Sequence, residues 1–472
     1  MRFYSSWLGF LILLLAVATP SARADDTVGI PVLFKLSNGL RVVVAPDHRA
    51  PVVVQMVWYK AGSIDDTPGK TGIAHMLEHM MFRGTKDVPA GQFADRVAAM
   101  GGRLNANTNQ SGTDYYEEVA KQYLPDVMKL EADRMAGLDL SDALFKPERD
   151  VVMEERNLRY DSIPQKLFYE QFYRRFYSVS PQGNPTIGWP QDIRNFTAQD
   201  ARDWYANFYT PNNAVLLLAG DVTPEEGKKL AEKYYGQIAP RAVLRKPAPL
   251  EPVRYEARRV TVHNPDAPTQ ILARAYRGPG WFEGIAGAAA PVNDIPVLVI
   301  LARILGYSQT GLLHQELVVN RGLADSVAVY YDPAVRGEVP LSIEVLPKAG
   351  VDMAKVEKAL DEVLASLLTS GVDEATVTRL VTATKFDQVY VRDDPYLYAY
   401  NLGRWLISGG TLDAYINWPD KLPAITPADV LRVARTYLRL EQSATGYLMT
   451  TPAPDQTTQP DKGTNQPKEG GL

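Results

Sequence analysis

The sequence predicts an α+β protein of two duplicated α/β-sandwich domains, each a largely antiparallel sheet packed with helices. Three observations carry this expectation. Runs rich in β-branched residues are separated by amphipathic helical runs, with hairpins present. A stretch from Gln237 to Pro252, with Pro240, Pro247, Pro249 and Pro252, interrupts the periodic pattern near the middle and reads as a linker. The two halves also end alike. Phe196-Thr197-Ala198-Gln199-Asp200 opens a helix running to Phe208-Tyr209, and Ile425-Thr426-Pro427-Ala428-Asp429 opens one running to Tyr437-Leu438. One offset superimposes Phe196 on Ile425, Thr197 on Thr426, Asp200 on Asp429 and Phe208 on Tyr437. Thr with Asp at the third following position is a helix start. An apolar strand follows each helix, Ala214 to Ala219 and Ala444 to Met449. The pairing points to duplication over two ordinary amphipathic helices.

Taken in order, Met1 to Ala24 reads as a signal peptide. Arg2 supplies the positive start, Trp7 to Ala18 the apolar stretch, and Ala22-Arg23-Ala24 an A-x-A cleavage site. The apolar run is short for a membrane span, so the expectation is export through a Gram-negative inner membrane into the periplasm. The mature chain would start near Asp25; an uncleaved anchor is the alternative. No cysteine is present, which excludes a lipid attachment site, a disulfide framework and a thiolate metal site. The net charge of −5 argues against a nucleic-acid partner. Strands are expected at Val32–Leu36, Leu40–Ala45 and Val52–Trp58, with a Ser-Asn-Gly turn at 37–39. Gly91 to Met100 reads as a helix stopped by Gly101-Gly102, followed by a hairpin of Arg103–Ala106 and Asp114–Val119. The domains are expected at 25–240 and 253–451, joined by a linker at 241–252. The tail 452–472 lacks apolar residues and is expected to be disordered.

Between Ala74 and Met80 stands His75-Met76-Leu77-Glu78-His79. The chain has 5 histidines in all, and two of them fall here. Positions i, i+3 and i+4 share a helix face, so both imidazoles and the Glu78 carboxylate project to one side. Chance would give such a pattern in about one chain in three hundred of this composition. H-x-x-E-H is the inverted form of the zinc-peptidase motif. Thr71-Gly72 opens this helix, and apolar residues on more than one side mark it as buried. One buried histidine is ordinarily satisfied by a hydrogen bond; two flanking a glutamate fit a metal better.

A catalytic zinc commonly takes three protein ligands. His48 lies in a turn, and His263 and His314 lie in the second half, so an acidic third ligand is expected. The run Glu148-Arg149-Asp150-Val151-Val152-Met153-Glu154-Glu155 follows Pro147, which suits a helix start. Glu148 and Glu155 align on one face with Val151 and Val152 between them, while Glu154 points elsewhere. Spacing makes Glu155 a candidate ligand, against the plainer reading of a solvated charged helix.

On these residues the chain resembles the pitrilysin, insulinase and mitochondrial-processing-peptidase family of zinc peptidases, in its half-length two-domain form. The resemblance covers nearly all of the mature chain. It includes Asn38-Gly39-Leu40, His75 to His79, Glu148 to Glu155, Ser180-Pro181-Gln182-Gly183-Asn184-Pro185, Pro211-Asn212-Asn213-Ala214 and Gly220-Asp221. It implies the pitrilysin/LuxS-like metallohydrolase fold. It implies one zinc ion on His75, His79 and Glu155, with Glu78 as general base. Glu148 matches an acidic position that supports the site without binding metal. Asn105-Ala106 matches an edge strand beside the zinc, where the substrate backbone would add as a further strand.

The resemblance also exposes a gap. Active members carry an Arg and, seven positions later, a Tyr in the second half. The surrounding Leu312-Leu313-His314-Gln315-Glu316-Leu317 and Arg321-Gly322-Leu323-Ala324 are recognisable, but the two positions are Val318 and Asp325. Valine donates no hydrogen bond and aspartate repels an oxyanion. Tyr330 and Tyr331 are out of register and read as strand residues. The expectation is therefore a heterodimer enclosing a chamber. This chain supplies zinc and base; a related partner without the zinc motif supplies Arg and Tyr. The alternative is a non-catalytic core or scaffold subunit that keeps the fold. The aromatic run Leu167 to Tyr177 reads as core packing, by the spacing of Phe168, Phe172 and Phe176, ahead of a substrate platform. Gly278 to Gly287 reads as a surface loop. Arg174-Arg175 and Arg258-Arg259 read as solvated charge.

Overall fold

A computed structural model describes residues 28–246, 249, 251–281, 294–306 and 308–450. The expected leader, the tail and most of the glycine-rich loop lie outside the described residues. The first sheet contains β1 (Val32–Lys35), β2 (Arg41–Pro46), β3 (Val52–Tyr59), β4 (Arg103–Thr108), β5 (Thr113–Ala120) and β6 (Ala214–Gly220), in the order β1-β2-β6-β3-β5-β4. The second contains β7 (Arg258–His263), β8 (Ile271–Gly278), β9 (Ala324–Tyr330), β10 (Val339–Pro347) and β11 (Ser443–Met449), in the order β7-β11-β8-β10-β9.

Apart from β1, the two orders are the same pattern. The first strand of each set runs parallel to the last, β2 to β6 and β7 to β11, and every other pair is antiparallel. The matching helix starts are also real. Thr197 and Thr426 each form a capping box with Asp200 and Asp429. Sheet topology and cap chemistry thus repeat together, as an internal duplication requires.

One helix of each half is exchanged. The aromatic helix Pro164–Phe176 buries Phe168, Phe172 and Phe176 against Ile271, Ala273 and Ala275 of β8 and Ala444 and Leu448 of β11. The helix Pro395–Ser408 of the second half buries Leu402, Trp405 and Leu406 against Val43, Met56, Trp58 and Leu217 of the first sheet. Close approach there needs glycine: a Cβ on Gly403 would stand 2.1 Å from Trp58 Cδ1. Each buried Phe contributes about 1.5–3 kcal/mol relative to exposure. The aromatic run is therefore core, but core for the other half's sheet.

Polar contacts add to this joint. Arg336 grips Asp65 with two hydrogen bonds of 2.7 and 2.8 Å, and Arg245 adds one of 2.9 Å. The stretch between the sheets is tied down as well. Leu244 and Asn207 exchange hydrogen bonds of 2.7 and 2.9 Å, and the Glu251 carboxylate accepts the backbone N–H groups of Ser178, Val179 and Ser180. No described helix is long and apolar enough to cross a membrane.

Candidate metal centre

The H-x-x-E-H segment lies on the helix Ile73–Met80, which buries Ile73, Ala74, Met76, Leu77 and Met80. Its start is fixed by two buried carboxylates. Asp66 accepts from the Gly72 N–H at 2.7 Å, and Asp192 accepts from the Thr71 N–H and hydroxyl at 3.1 and 2.6 Å. Gly72 has φ 88°, and a Cβ there would meet the Ile187 carbonyl oxygen at 2.3 Å. This backbone needs glycine.

The second contributor is the helix Asp142–Arg156. Its start corrects the sequence reading: Ser141 is the N-cap and Pro147 lies inside the helix, not before it. Burial of Phe145 in the first core and the bonds from Leu144 and Phe145 N–H to Ser141 O outweigh the one donor that proline removes. The i, i+7 alignment survives. Glu148 is buried and Glu155 half-buried, both facing the first helix, while Glu154 is exposed and accepts from Asn157 Nδ2.

Among the described residues, His75, His79 and Glu155 form a group whose ligand atoms lie within 4.8 Å of one another. Glu155 Oε2 is 3.0 Å from His79 Nε2 and 3.7 Å from His75 Nε2. His79 Nδ1 is 2.8 Å from Glu148 Oε1, so Glu148 fixes the ring with Nε2 toward Glu155. Arg83 holds the other Glu148 oxygen, and Arg159 Nη1 donates to Glu155 Oε1 at 2.8 Å. Two imidazole nitrogens and one carboxylate oxygen, convergent and partly shielded, are a donor set that fits zinc.

The electrostatics follow from burial and these partners. Burial, reinforced by His79, draws His75 down to about 4. Burial opposes charge on His79 too, but Glu148 and Glu155 outweigh it and push the ring up to about 9. The hydrogen bond from His79 holds Glu155 below the ordinary carboxylate range. Burial raises Glu78 against the opposing effect of Thr108, and Glu78 Oε2 has no hydrogen-bond partner.

A cavity of about 1200 Å³ opens over these groups. Asn105 and Ala106 line it from β4, the last strand of the sheet, so one backbone edge is unpaired among the described residues. Asn105 is exposed and Ala106 buried. Across the cavity stand Asp332, Val335, Tyr400 and Arg404 of the second half. Sequence reasoning missed these, together with Asp66, Asp192, Arg83 and Arg159. The i, i+4 spacing of Arg159 after Glu155 was the one available signal. Val318 packs half-buried against the second core, Asp325 is exposed on β9, and neither borders the cavity. His48, paired with Asp221 at 2.6 Å, is remote from the centre.

Comparisons with known proteins place this geometry. Residues 41–189 match the family model described as Insulinase (Peptidase family M16), and residues 195–384 match the one described as Peptidase M16 inactive domain. The chain belongs to the M16 peptidase family. The zinc protease PqqE of Helicobacter pylori is 29% identical over 444 residues, covering 93% of this chain and 98% of that one. The uncharacterized zinc protease YmxG of Bacillus subtilis is 25% identical, covering 72% and 79%. The crystal structure of a protease from Helicobacter pylori is similar at a TM-score of 0.82 and 28% identity, covering 89% of this chain and 99% of that one. Periplasmic PqqL of Escherichia coli shares the fold at a TM-score of 0.75 and 17% identity, with 89% of this chain matching 48% of that one. The M16 helices and antiparallel-rich sheets are those expected from the sequence, and zinc belongs to the family by the names of these relatives.

Proposed function

We propose that this chain is the zinc-bearing subunit of a heterodimeric M16 endopeptidase that cleaves peptides or unfolded segments in a closed chamber. The observation that carries the reading is the convergence of His75 Nε2, His79 Nε2 and Glu155 Oε2 beside the unpartnered Oε2 of Glu78. His75, His79 and Glu155 hold one zinc ion. Bound there, zinc supplies Lewis acidity for water and for the scissile carbonyl. Glu78 takes the proton of the attacking water at Oε2 and passes it to the departing amine. Glu148 orients His79 through Nδ1. The substrate backbone pairs with β4 at Asn105 and Ala106. Residues 25–240 are the catalytic unit, 241–252 the linker and 253–451 the inactive duplicate. Residues 1–24 are a leader that delivers the chain to the periplasm.

The partner enters because Val318 and Asp325 replace the Arg and Tyr of active members and do not border the cavity. The same observation supports a second reading, a scaffold subunit that keeps the fold without catalysis. Co-expression with a related chain that carries Arg and Tyr, followed by a fluorogenic-peptide assay with and without chelator, separates them. The expected result is zinc in the complex by atomic absorption, chelator-sensitive cleavage by the pair and weak cleavage by this chain alone. Full activity of this chain alone overturns the partner. Absence of zinc overturns the enzyme.

A further inference from the structure

We propose that Arg404, held by Tyr400 and Asp332, is a carboxylate-binding subsite for the substrate, on the side of β4 away from the metal ligands. This rests on the peptidase reading above and deepens it to a substrate class. Ala106 pairs with Tyr115, which packs in the core beneath the metal helix. Asn107 pairs with Asp114, which pairs in turn with Trp58, and Trp58 packs against the exchanged helix. Ala106 and Asn107 therefore mark opposite faces of the sheet. A peptide strand added along β4 alternates its side chains between those faces. Every second side chain points away from the zinc ligands and toward the wall made by Pro395–Ser408.

Arg404 and Tyr400 are one helical turn apart on that wall and both line the cavity. The wall is rigid. The Tyr400 ring lies 5.4 Å from Trp58, and the Arg404 guanidinium lies over the Tyr400 ring at 5.6 Å. Arg404 makes its hydrogen bonds through Nη2, to Asp332 Oδ2 and, at 3.4 Å, to the Ala334 carbonyl. Nε and Nη1 donate to no acceptor among the described residues, and the side chain keeps 17% of its exposure. A guanidinium carries five donors in a plane, so a second carboxylate can be accepted while the first stays bound. The ion pair with Asp332 holds the group in place without using its remaining donors. The source of the carboxylate is an Asp or Glu side chain of the substrate or its C-terminal group; the chemistry is the same for both.

The test uses the zinc-loaded full chain carrying Glu78→Gln, so that binding is read without turnover. Fluorescent peptides with Glu, Gln or Lys at successive positions, each with a free or amidated C-terminus, are titrated by anisotropy. The expected result is about tenfold tighter binding of Glu than Gln at positions two apart, lost in Arg404→Gln and partly restored in Arg404→Lys. A preference for the free C-terminus alone, lost in Arg404→Gln, assigns the subsite to the terminal carboxylate and supports the proposal. Asp332→Asn keeps the arginine and removes the negative charge that competes for it, so the Glu preference rises about threefold; this variant decides the matter if Arg404→Gln does not fold. Equal binding of the charged and neutral peptides by the parent, or an unchanged preference in the folded Arg404 or Asp332 variants, overturns the subsite. Cleavage of the peptides by the Glu78→Gln chain instead overturns Glu78 as the general base and leaves the subsite to be judged by its Kd ratios.

Discussion

Glu78, half-buried, and Glu148, buried, are both carboxylates near His79, and their surroundings assign them different work. Glu148 has both oxygens engaged, one with His79 and one with Arg83. Glu78 keeps Oε2 unpartnered, and burial raises its pKa above the ordinary carboxylate range. Glu78→Gln should therefore retain zinc and lose about 100- to 10,000-fold in kcat/KM, checked by metal analysis and steady-state kinetics on the same preparation. Glu148→Gln should weaken zinc about 10- to 100-fold in a competitive chelator titration, because His79 exchanges a charged acceptor for a weaker neutral one. At this scale the sequence was informative where helix periodicity applied. His75, Glu78 and His79 share a face by spacing, and Glu148 and Glu155 share another. Tyr400 and Arg404 were not legible, because nothing local in the chain says that a residue of the second half faces the cavity of the first.

Among the elements, the metal helix shows how much of a site is set before its first ligand. Asp66 and Asp192 anchor the turn at Thr71-Gly72, and Gly72 occupies a left-handed conformation against Ile187. Gly72→Ala should cost roughly 1–3 kcal/mol or more, read by thermal melting, and should weaken zinc through displacement of His75. Strands and hairpins were legible from alternation and from their turn residues: β4 and β5 fall where the hairpin was expected. Pro147 misled because a proline that opens many helices is here tolerated within one. The aromatic stripe of Pro164–Phe176 announced its buried face, yet an apolar face does not name its partner. Only the fold shows that the partner is β8 and β11.

For the molecule as a whole, Asp65 is a pH-sensitive joint between the halves. Burial opposes its ionisation, but Arg336 and Arg245 prevail and hold it below the ordinary 3.8. A carboxyl depressed on folding stabilises the fold above the unfolded value, and that contribution is lost as pH falls through the folded value. The melting temperature should thus drop as acid protonates Asp65 below 3.8, and Asp65→Asn should start lower at neutral pH and show a shallower acid dependence. Calorimetry across that range checks both.

The exchange of helices carries a last consequence. Each sheet has one face roofed by a segment that the other half encodes. A polypeptide severed at the linker would yield two fragments, each bearing an uncovered greasy surface and a spare amphipathic rod. Produced separately they should aggregate, and produced in the same cell they should clasp each other and recover a soluble whole.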